Sequence, residues 1–223
     1  MRNDKESRWL NARVGNFTAS QIYKLMGKGK DGKVFSDGAT TYIYSIVAEM
    51  LTGDSASSDL SGVRAIEWGN NHEKEALEAY KVATGIENIN YFGKEDPVFF
   101  PLDDLPAGGS PDAIIEIEEL LLEIKCPYTS ENHIRYKLIN DPDKLKEKHL
   151  DYYTQIQMNM IVTNTQKADF ISYDPRFIEF ADRIHILRVP QDRKFCTELR
   201  ERINKAIEVR NYLYNTLKDR RAS

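Results

Sequence analysis

The spacing of apolar residues changes from helical to strand-like at about residue 89, and no other feature constrains the fold as much. "INYFG", "PVFF", "DAIIEI" and "LLLEIK", all between residues 89 and 124, are short, apolar and separated by Pro, Gly or acidic turns, which is the pattern of a sheet. Before the change the period is helical. Thr18 is placed to N-cap a short helix carrying Ile22, Leu25 and Met26, with Gly27 at its C′ position. Ile43, Ile46, Val47, Met50 and Leu51 line a second helix over about 40 to 51, which Gly53 stops. A third covers about 70 to 83 and stops at Gly85. After the strands, Asp141 and Pro142 form an N-cap and N1 pair. They open helical material running to about residue 162, with Tyr153, Ile156, Met160 and Ile161 along one side. Strands "ADFISY" and "RIHILRV" follow, joined across the turn "DPRF". A last helix over about 191 to 217 carries Phe195, Leu199, Ile203, Ala206, Leu213 and Leu217. This order argues an α+β or mixed-sheet α/β fold, and 223 residues suit one domain.

Hydrophobic content of 41% with 30% charged residues fits a soluble globular chain. No apolar run approaches the ~20 residues that span a bilayer, and "MRNDKESRWLNAR" lacks a secretory signal's apolar core; a cytoplasmic location is expected. A net charge of -4 leaves partners open, because a basic groove can sit opposite an acidic site. "GKGKDGK" (27 to 33) and "TGDSASSDLSG" (52 to 62) read as surface loops.

The stretch "GGSPDAIIEIEELLLEIKCPYTS" places charge inside strands. Alternation puts Leu121, Glu123 and Lys125 on one face of the second strand and Leu120, Leu122 and Ile124 on the other. If the two strands turn near Glu118 and Glu119, Asp112 lies beside Glu123 and Lys125. Two carboxylates brought together in a partly buried place repel unless a cation joins them, and their oxygens suit a hard ion such as Mg²⁺. The Ile124 carbonyl is a further oxygen ligand. Lys125, its pKa depressed by the ion and by desolvation, is then placed to orient or deprotonate a bound water. An exposed Asp, Glu and Lys cluster on an edge hairpin is the commoner meaning of such a spacing alone. Glu73 shares a helix face with Ala76, Leu77 and Tyr80, so its carboxylate points toward the apolar side.

Pro111 and Asp112, followed by Glu123, Ile124 and Lys125, look like the PD-(D/E)xK nuclease signature. "GGSPDAII" and "LEIKCPYTS" resemble its lambda exonuclease, or YqaJ-type viral recombinase, branch. "WLNARVGNFTAS", "AIEWGNNHEKEA", "YYTQIQMNMIVT" and "YDPR" fit the same branch, so the resemblance runs from about Trp9 to about Arg188. It implies a restriction-endonuclease-like core, a central mixed β-sheet flanked by helices. It also implies that Asp112 and Glu123 bind Mg²⁺, with Mn²⁺ as a substitute, that Lys125 acts on the water, and that Glu73 is an additional active-site carboxylate. Arg13, Ser20, Ser110 and Gln155 become candidates for gripping a terminal 5′-phosphate. A helix start at Thr18 and Ser20, with Arg13 just upstream, is suitable anion chemistry. Trp9 is a weaker candidate, either packing or stacking on a base, and Lys28, Lys30 and Lys33 are candidate phosphate contacts.

The activity implied is a 5′ to 3′ exonuclease on linear double-stranded DNA that releases mononucleotides and leaves a 3′ single-stranded tail. The partners implied are DNA ends, a single-strand annealing protein and further copies of the chain in a trimeric ring, in a phage or prophage setting within a bacterial host. A PD-(D/E)xK endonuclease and a non-catalytic DNA-end-binding module are the alternatives. Against the module, nothing would retain the mutually repelling Asp112 and Glu123.

Other motif readings fail. "GKGKDGKV" matches a phosphate-binding loop through Lys33, then has Val34 where Ser or Thr is needed. His72, His133, His149 and His185 lack zinc spacing, and structural roles are expected. Cys126 and Cys196 cannot supply the four ligands of an iron-sulphur cluster and are expected to be reduced, packed thiols.

Overall fold

A computed structural model describes residues 4–30, 32–55 and 64–222. Helix α1 (Asp4–Arg13) leads into β1 (Phe17–Thr18), a 3₁₀ segment (Ile22–Met26), α2 (Asp37–Thr52) and α3 (Arg64–Thr84). Short strands β2 (Asn90–Tyr91), β3 (Phe100–Pro101) and β4 (Ala107–Gly109) precede the central hairpin of β5 (Ala113–Ile115) and β6 (Leu120–Lys125). Then come α4 (Ser130–Lys137), α5 (Pro142–Lys148), α6 (Leu150–Thr163), β7 (Lys167–Tyr173), α7 (Phe180–Arg183), β8 (Ile184–Pro190) and α8 (Arg193–Ala222). The strands form a five-stranded mixed sheet, β2-β5-β6-β7-β8, and a three-stranded one, β1-β4-β3. β6 and β7 run parallel and their neighbours antiparallel. Helices cover both faces, as expected for a mixed α/β fold.

The alternation in β6 divides the core. Leu120, Leu122 and Ile124 pack with Ala113 and Ile115 against Ala76, Leu77 and Tyr80 of α3. Leu121 faces the other way, into the larger cluster containing Ile156 and Met160 of α6 and Phe170 of β7. Leu120, Leu121 and Leu122 are all fully buried, each contributing about 1.5–3 kcal/mol of transfer free energy, so the hairpin is anchored on both faces.

Several expectations need correction. Thr18 does not cap a helix: it lies in β1, its amide donates to Tyr42 and its carbonyl accepts from Gln21. Strand pairing with Gly108 takes the backbone that a cap would have used. The helix that follows is one short 3₁₀ segment, and Gly27 closes it in an extended rather than a left-handed conformation. The material after Asp141, which does cap as expected by accepting from Lys144, breaks at His149. β7 and β8 are joined by a longer connection containing α7, not by "DPRF" alone. α8 continues past residue 217, and Leu217 is exposed. The central hairpin turns through a 3₁₀ segment (Glu116–Glu118) and Glu119, at φ 49°. Met50 and Leu51 are only half-buried, whereas Glu49 on the same helix is buried. Gly53 and Gly85 end their helices in the left-handed conformation, as expected. Most of the loop expected over 52 to 62, and Asp31 of the other, lie outside the described residues. Among the described residues no helix is long and apolar enough to cross a membrane.

Candidate active site

β5 and β6 pair with Ala113 opposite Leu122, so the same register sets Asp112 opposite Glu123. The Asp112 carboxylate accepts a hydrogen bond from the Ile124 amide at 2.6 Å. Glu123 is fully buried, and its two oxygens are divided between donors. Oε1 accepts from Lys125 Nζ at 2.6 Å and from Gln155 Nε2 at 2.6 Å; Oε2 accepts from Asn159 Nδ2 at 3.0 Å. Gln155 and Asn159 stand four residues apart on α6, which aims both amides at one spot on β6. Lys125 also lies 5.1 Å from the centre of the Tyr152 ring, a cation–π contact.

Glu73 reaches this group from α3. Its Oε1 is buried without a hydrogen-bond partner. Burial raises its pKa, Tyr91's hydrogen bond and Lys125 lower it, and Glu123 adds to the rise. Burial, then Glu123 and Glu73, push the Asp112 carboxyl well above the usual aspartate range. Burial opposes the charge on Lys125, but Glu123 and Asp112 outweigh it and raise the lysine above its ordinary value. The expected depression of Lys125 is therefore corrected for the protein alone: this ammonium is a donor with two carboxylates around it.

These groups fit a divalent cation. Among the described residues no three His, Cys, Asp or Glu side chains form a ready cage. Mg²⁺, however, takes one or two carboxylates and keeps several waters. Asp112 and Glu123, with the Ile124 carbonyl, would supply such a set, and the mutual repulsion of Asp112, Glu123 and Glu73 is what a cation would relieve.

Of the expected phosphate-binding residues, Arg13 and Ser110 are linked through Trp9. The Arg13 guanidinium stacks 4.3 Å from the Trp9 ring, one helical turn away. The Trp9 indole donates to Ser110 Oγ at 2.8 Å, two residues before Asp112. Arg13 Nε is buried without a partner; burial lowers the guanidinium's pKa, and Tyr42 and Glu49 offset part of the effect. Ser20 sits half-buried in the turn after β1. The expected anion site at a helix N-terminus is not formed there, because the following segment is five residues of 3₁₀ helix beginning at Ile22. Gln155 donates to Glu123. Lys28, Lys30 and Lys33 are exposed. Their loop is clamped by Arg202 of α8, which donates to the carbonyls of Leu25 (2.6 Å), Gly27 (2.8 Å) and Val34 (2.8 Å) and stacks 4.5 Å from Phe35.

Sequence reasoning missed Asn159, Tyr91, Tyr152, Arg176 and Arg202. Tyr152 and Asn159 lie in "YYTQIQMNMIVT", Asn159 four residues after Gln155 on the same helix, and Arg176 lies in "YDPR"; Tyr91 and Arg202 carried no signal. Arg176, in "YDPR", pairs with buried Asp174 and donates to the carbonyls of Pro127 and Tyr128 just after Lys125. It also stacks 4.4 Å from Trp68. The histidines have the structural partners expected of them: His133 contacts Ser172 and the Asp182 carbonyl, His185 the Ile139 carbonyl, and His72 the Trp68 carbonyl. His149 stacks on Tyr152. Cys126 and Cys196 are free thiols, and burial raises both.

The sequence profile of the YqaJ-like viral recombinase domain matches residues 8–166, a span that contains every carboxylate and amide of this site. The chain belongs to the YqaJ-like viral recombinase domain family. Solved structures agree with that membership. The alkaline exonuclease LHK-Exo from Laribacter hongkongensis superposes with a TM-score of 0.77 at 25% identity, covering 97% of this chain and 98% of that one. Its complex with dAMP gives 0.78 at the same identity and coverage. A phage related exonuclease from Haemophilus somnus 129PT, at 16% identity, shares the fold with a TM-score of 0.72, covering 91% of this chain and 96% of that one. No curated protein sequence matches the chain.

Proposed function

We propose that this member of the YqaJ family is a Mg²⁺-dependent exonuclease, one PD-(D/E)xK domain over residues 1–223. It degrades one strand of linear double-stranded DNA from its 5′ end and leaves a 3′ single-stranded tail. The observation that carries the reading is the meeting of Asp112, Glu123 and Lys125 at one end of a hairpin, with the unpartnered Glu73 oxygen beside them.

Asp112, Glu123 and the Ile124 carbonyl would hold the cation; Mn²⁺ has the same oxygen preference. Bound there, the ion supplies Lewis acidity and lowers the pKa of water. Lys125, kept as an ammonium by its two carboxylates, orients the attacking water and donates to the charge growing on phosphorus. Glu73, raised by burial, is placed to take up the water's proton. Water oxygen bonds to phosphorus as the bond from phosphorus to the 3′ oxygen breaks, and that oxygen takes its proton from solvent as Glu73 later returns the water's proton to solvent. The freed 5′ end carries a phosphate again, so each cycle presents the same group to Arg13, Ser20 and Ser110. Arg13 Nε, buried and unpartnered, supports an anion in that position. Gln155 contributes by holding Glu123. Trp9 fixes Arg13 and Ser110, and Lys28, Lys30 and Lys33 contact phosphates further along the duplex. LHK-Exo crystallised with dAMP, a mononucleotide, and this supports mononucleotide release. The tail suits a single-strand annealing partner, and a homotrimeric ring and a phage or prophage setting in the bacterial cytoplasm complete the proposal.

Linear and covalently closed circular duplexes, incubated with Mg²⁺, test the reading. Degradation of the linear form alone is expected; cleavage of the closed circle identifies an endonuclease, and binding of ends without degradation identifies a non-catalytic module. On linear ends, a 5′-phosphate is expected to be preferred over a 5′-hydroxyl, and Arg13→Ala to remove the preference.

A further inference from the structure

Asn159 is fully buried on α6, yet only half of its amide is used. Nδ2 donates to Glu123 Oε2 at 3.0 Å, and Oδ1 has no hydrogen-bond partner. A buried amide oxygen without a donor is costly, so the arrangement calls for a reason. The opposite amide orientation would turn the oxygen onto the Glu123 carboxylate, where two acceptors repel. The space that admits Oδ1 is made by Gly109 at the end of β4. A Cβ on Gly109 would overlap Asn159 Oδ1 and approach Asn159 Cγ at 3.2 Å and Ala19 Cβ at 3.2 Å. The backbone of Gly109 has no positive φ, so what position 109 requires is room, not conformational freedom.

We infer that Asn159, seated against Gly109, is a positioning residue that fixes which oxygen of Glu123 faces the cation. Lys125 and Gln155 both converge on Oε1; Asn159 is the one side chain donating to Oε2 among the described contacts, and it stops the carboxylate from rotating. β4 also carries the chain into Ser110 and Asp112, so the Gly109 contact ties the depth of α6 to the strand that delivers the other carboxylate. Partners of metal-binding carboxylates typically contribute 10–100-fold to metal affinity. The inference rests on the proposed cation site at Asp112 and Glu123.

The test combines calorimetric titration of Mn²⁺ with thermal unfolding in EDTA, on wild type, Asn159→Leu, Gly109→Ala and the double variant Gly109→Ala/Asn159→Ala. Asn159→Leu keeps most of the side-chain volume and removes the donor. It is expected to weaken Mn²⁺ binding about tenfold or more while its unfolding temperature in EDTA stays near or above that of wild type. Gly109→Ala is expected to lower both affinity and unfolding temperature, and adding Asn159→Ala to it to restore most of the unfolding temperature but none of the affinity. Wild-type Mn²⁺ affinity retained in Asn159→Leu overturns the inference and leaves the cation site standing. Absence of Mn²⁺ binding by wild type itself overturns the site and the inference together.

Discussion

Asp112 is pinned to the strand that carries Glu123 and Lys125, because its carboxylate accepts the Ile124 amide at 2.6 Å. The same hydrogen bond that fixes the register also holds Asp112 next to two other carboxylates, which raise its pKa after burial has done so. Asp112→Asn keeps an acceptor for the Ile124 amide and removes the charge. A raised carboxyl favours folding at low pH, below its ordinary value of 3.8, and that contribution is lost as pH rises through the folded value. In EDTA the variant is therefore expected to match wild type near pH 4 and to unfold at a higher temperature at pH 8, by about 2 °C or more. Its nuclease activity is expected to fall at least about 10²-fold. A variant less stable than wild type at pH 8 contradicts the repulsion described for the site.

Arg176 and Asp174 form a clamp behind the strand that carries Glu123 and Lys125. The Asp174 side chain is fully buried and the Arg176 side chain 40% exposed. Arg176→Ala takes the guanidinium from the Asp174 carboxylate, which keeps the residue 176 amide and Ser130, and frees the Pro127 and Tyr128 carbonyls. A loss of about 2 kcal/mol is expected, below the range for fully buried pairs because solvent screens the exposed arginine. Asp174→Asn added to Arg176→Ala recovers part of it. Chemical denaturation of the three proteins measures both effects.

His133 is buried between Ser172 and the Asp182 carbonyl, and burial lowers its pKa below 6.5. A lowered histidine favours folding above its unfolded value, and that contribution is lost as pH falls through the folded one. His133→Asn is expected to cost about 1–2 kcal/mol at pH 8 through lost hydrogen bonds, and the gap from wild type to narrow as pH drops below 6.5. A gap that widens toward pH 5.5 rejects this assignment.

The Lys28, Lys30 and Lys33 loop is expected to act through charge. Each lysine replaced by alanine lowers the slope of log affinity against log salt by about 1 for linear duplex. Arg202→Ala, which releases the loop from three carbonyls, is expected to weaken binding severalfold while the lysines remain. An unchanged salt slope in the triple lysine variant removes the loop from the DNA path.

The central hairpin was legible in the sequence because side chains alternate between faces within β5 and within β6, so that one register brings Asp112 to Glu123 and Lys125; its 3₁₀ turn was not legible. Glu73 was legible because Ala76, Leu77 and Tyr80 mark the buried face of its helix, and all three are buried. α1 left no trace: "DKESRWLNAR" buries Leu10 alone, so no apolar stripe announces it. β1 and β4 are two and three residues long, too short to show a period. Thr18 misled because a cap and a strand edge ask for the same residue type, and only the distant pairing with Gly108 decides between them. The Arg176 and Arg202 clamps were invisible for another reason. Each guanidinium binds main-chain carbonyls far away in sequence, and a carbonyl carries no residue-type signal.

End-labelled linear duplex with a 5′-phosphate, incubated with wild type and with Asp112→Ala in Mg²⁺ and in EDTA, tests the central claim most directly. Mononucleotides are expected to be released from the 5′ end by wild type in Mg²⁺ alone, with Asp112→Ala and the EDTA samples leaving the duplex intact. Degradation in EDTA, or full activity in Asp112→Ala, would contradict the assignment of Asp112, Glu123 and Lys125 as a cation-dependent nuclease centre.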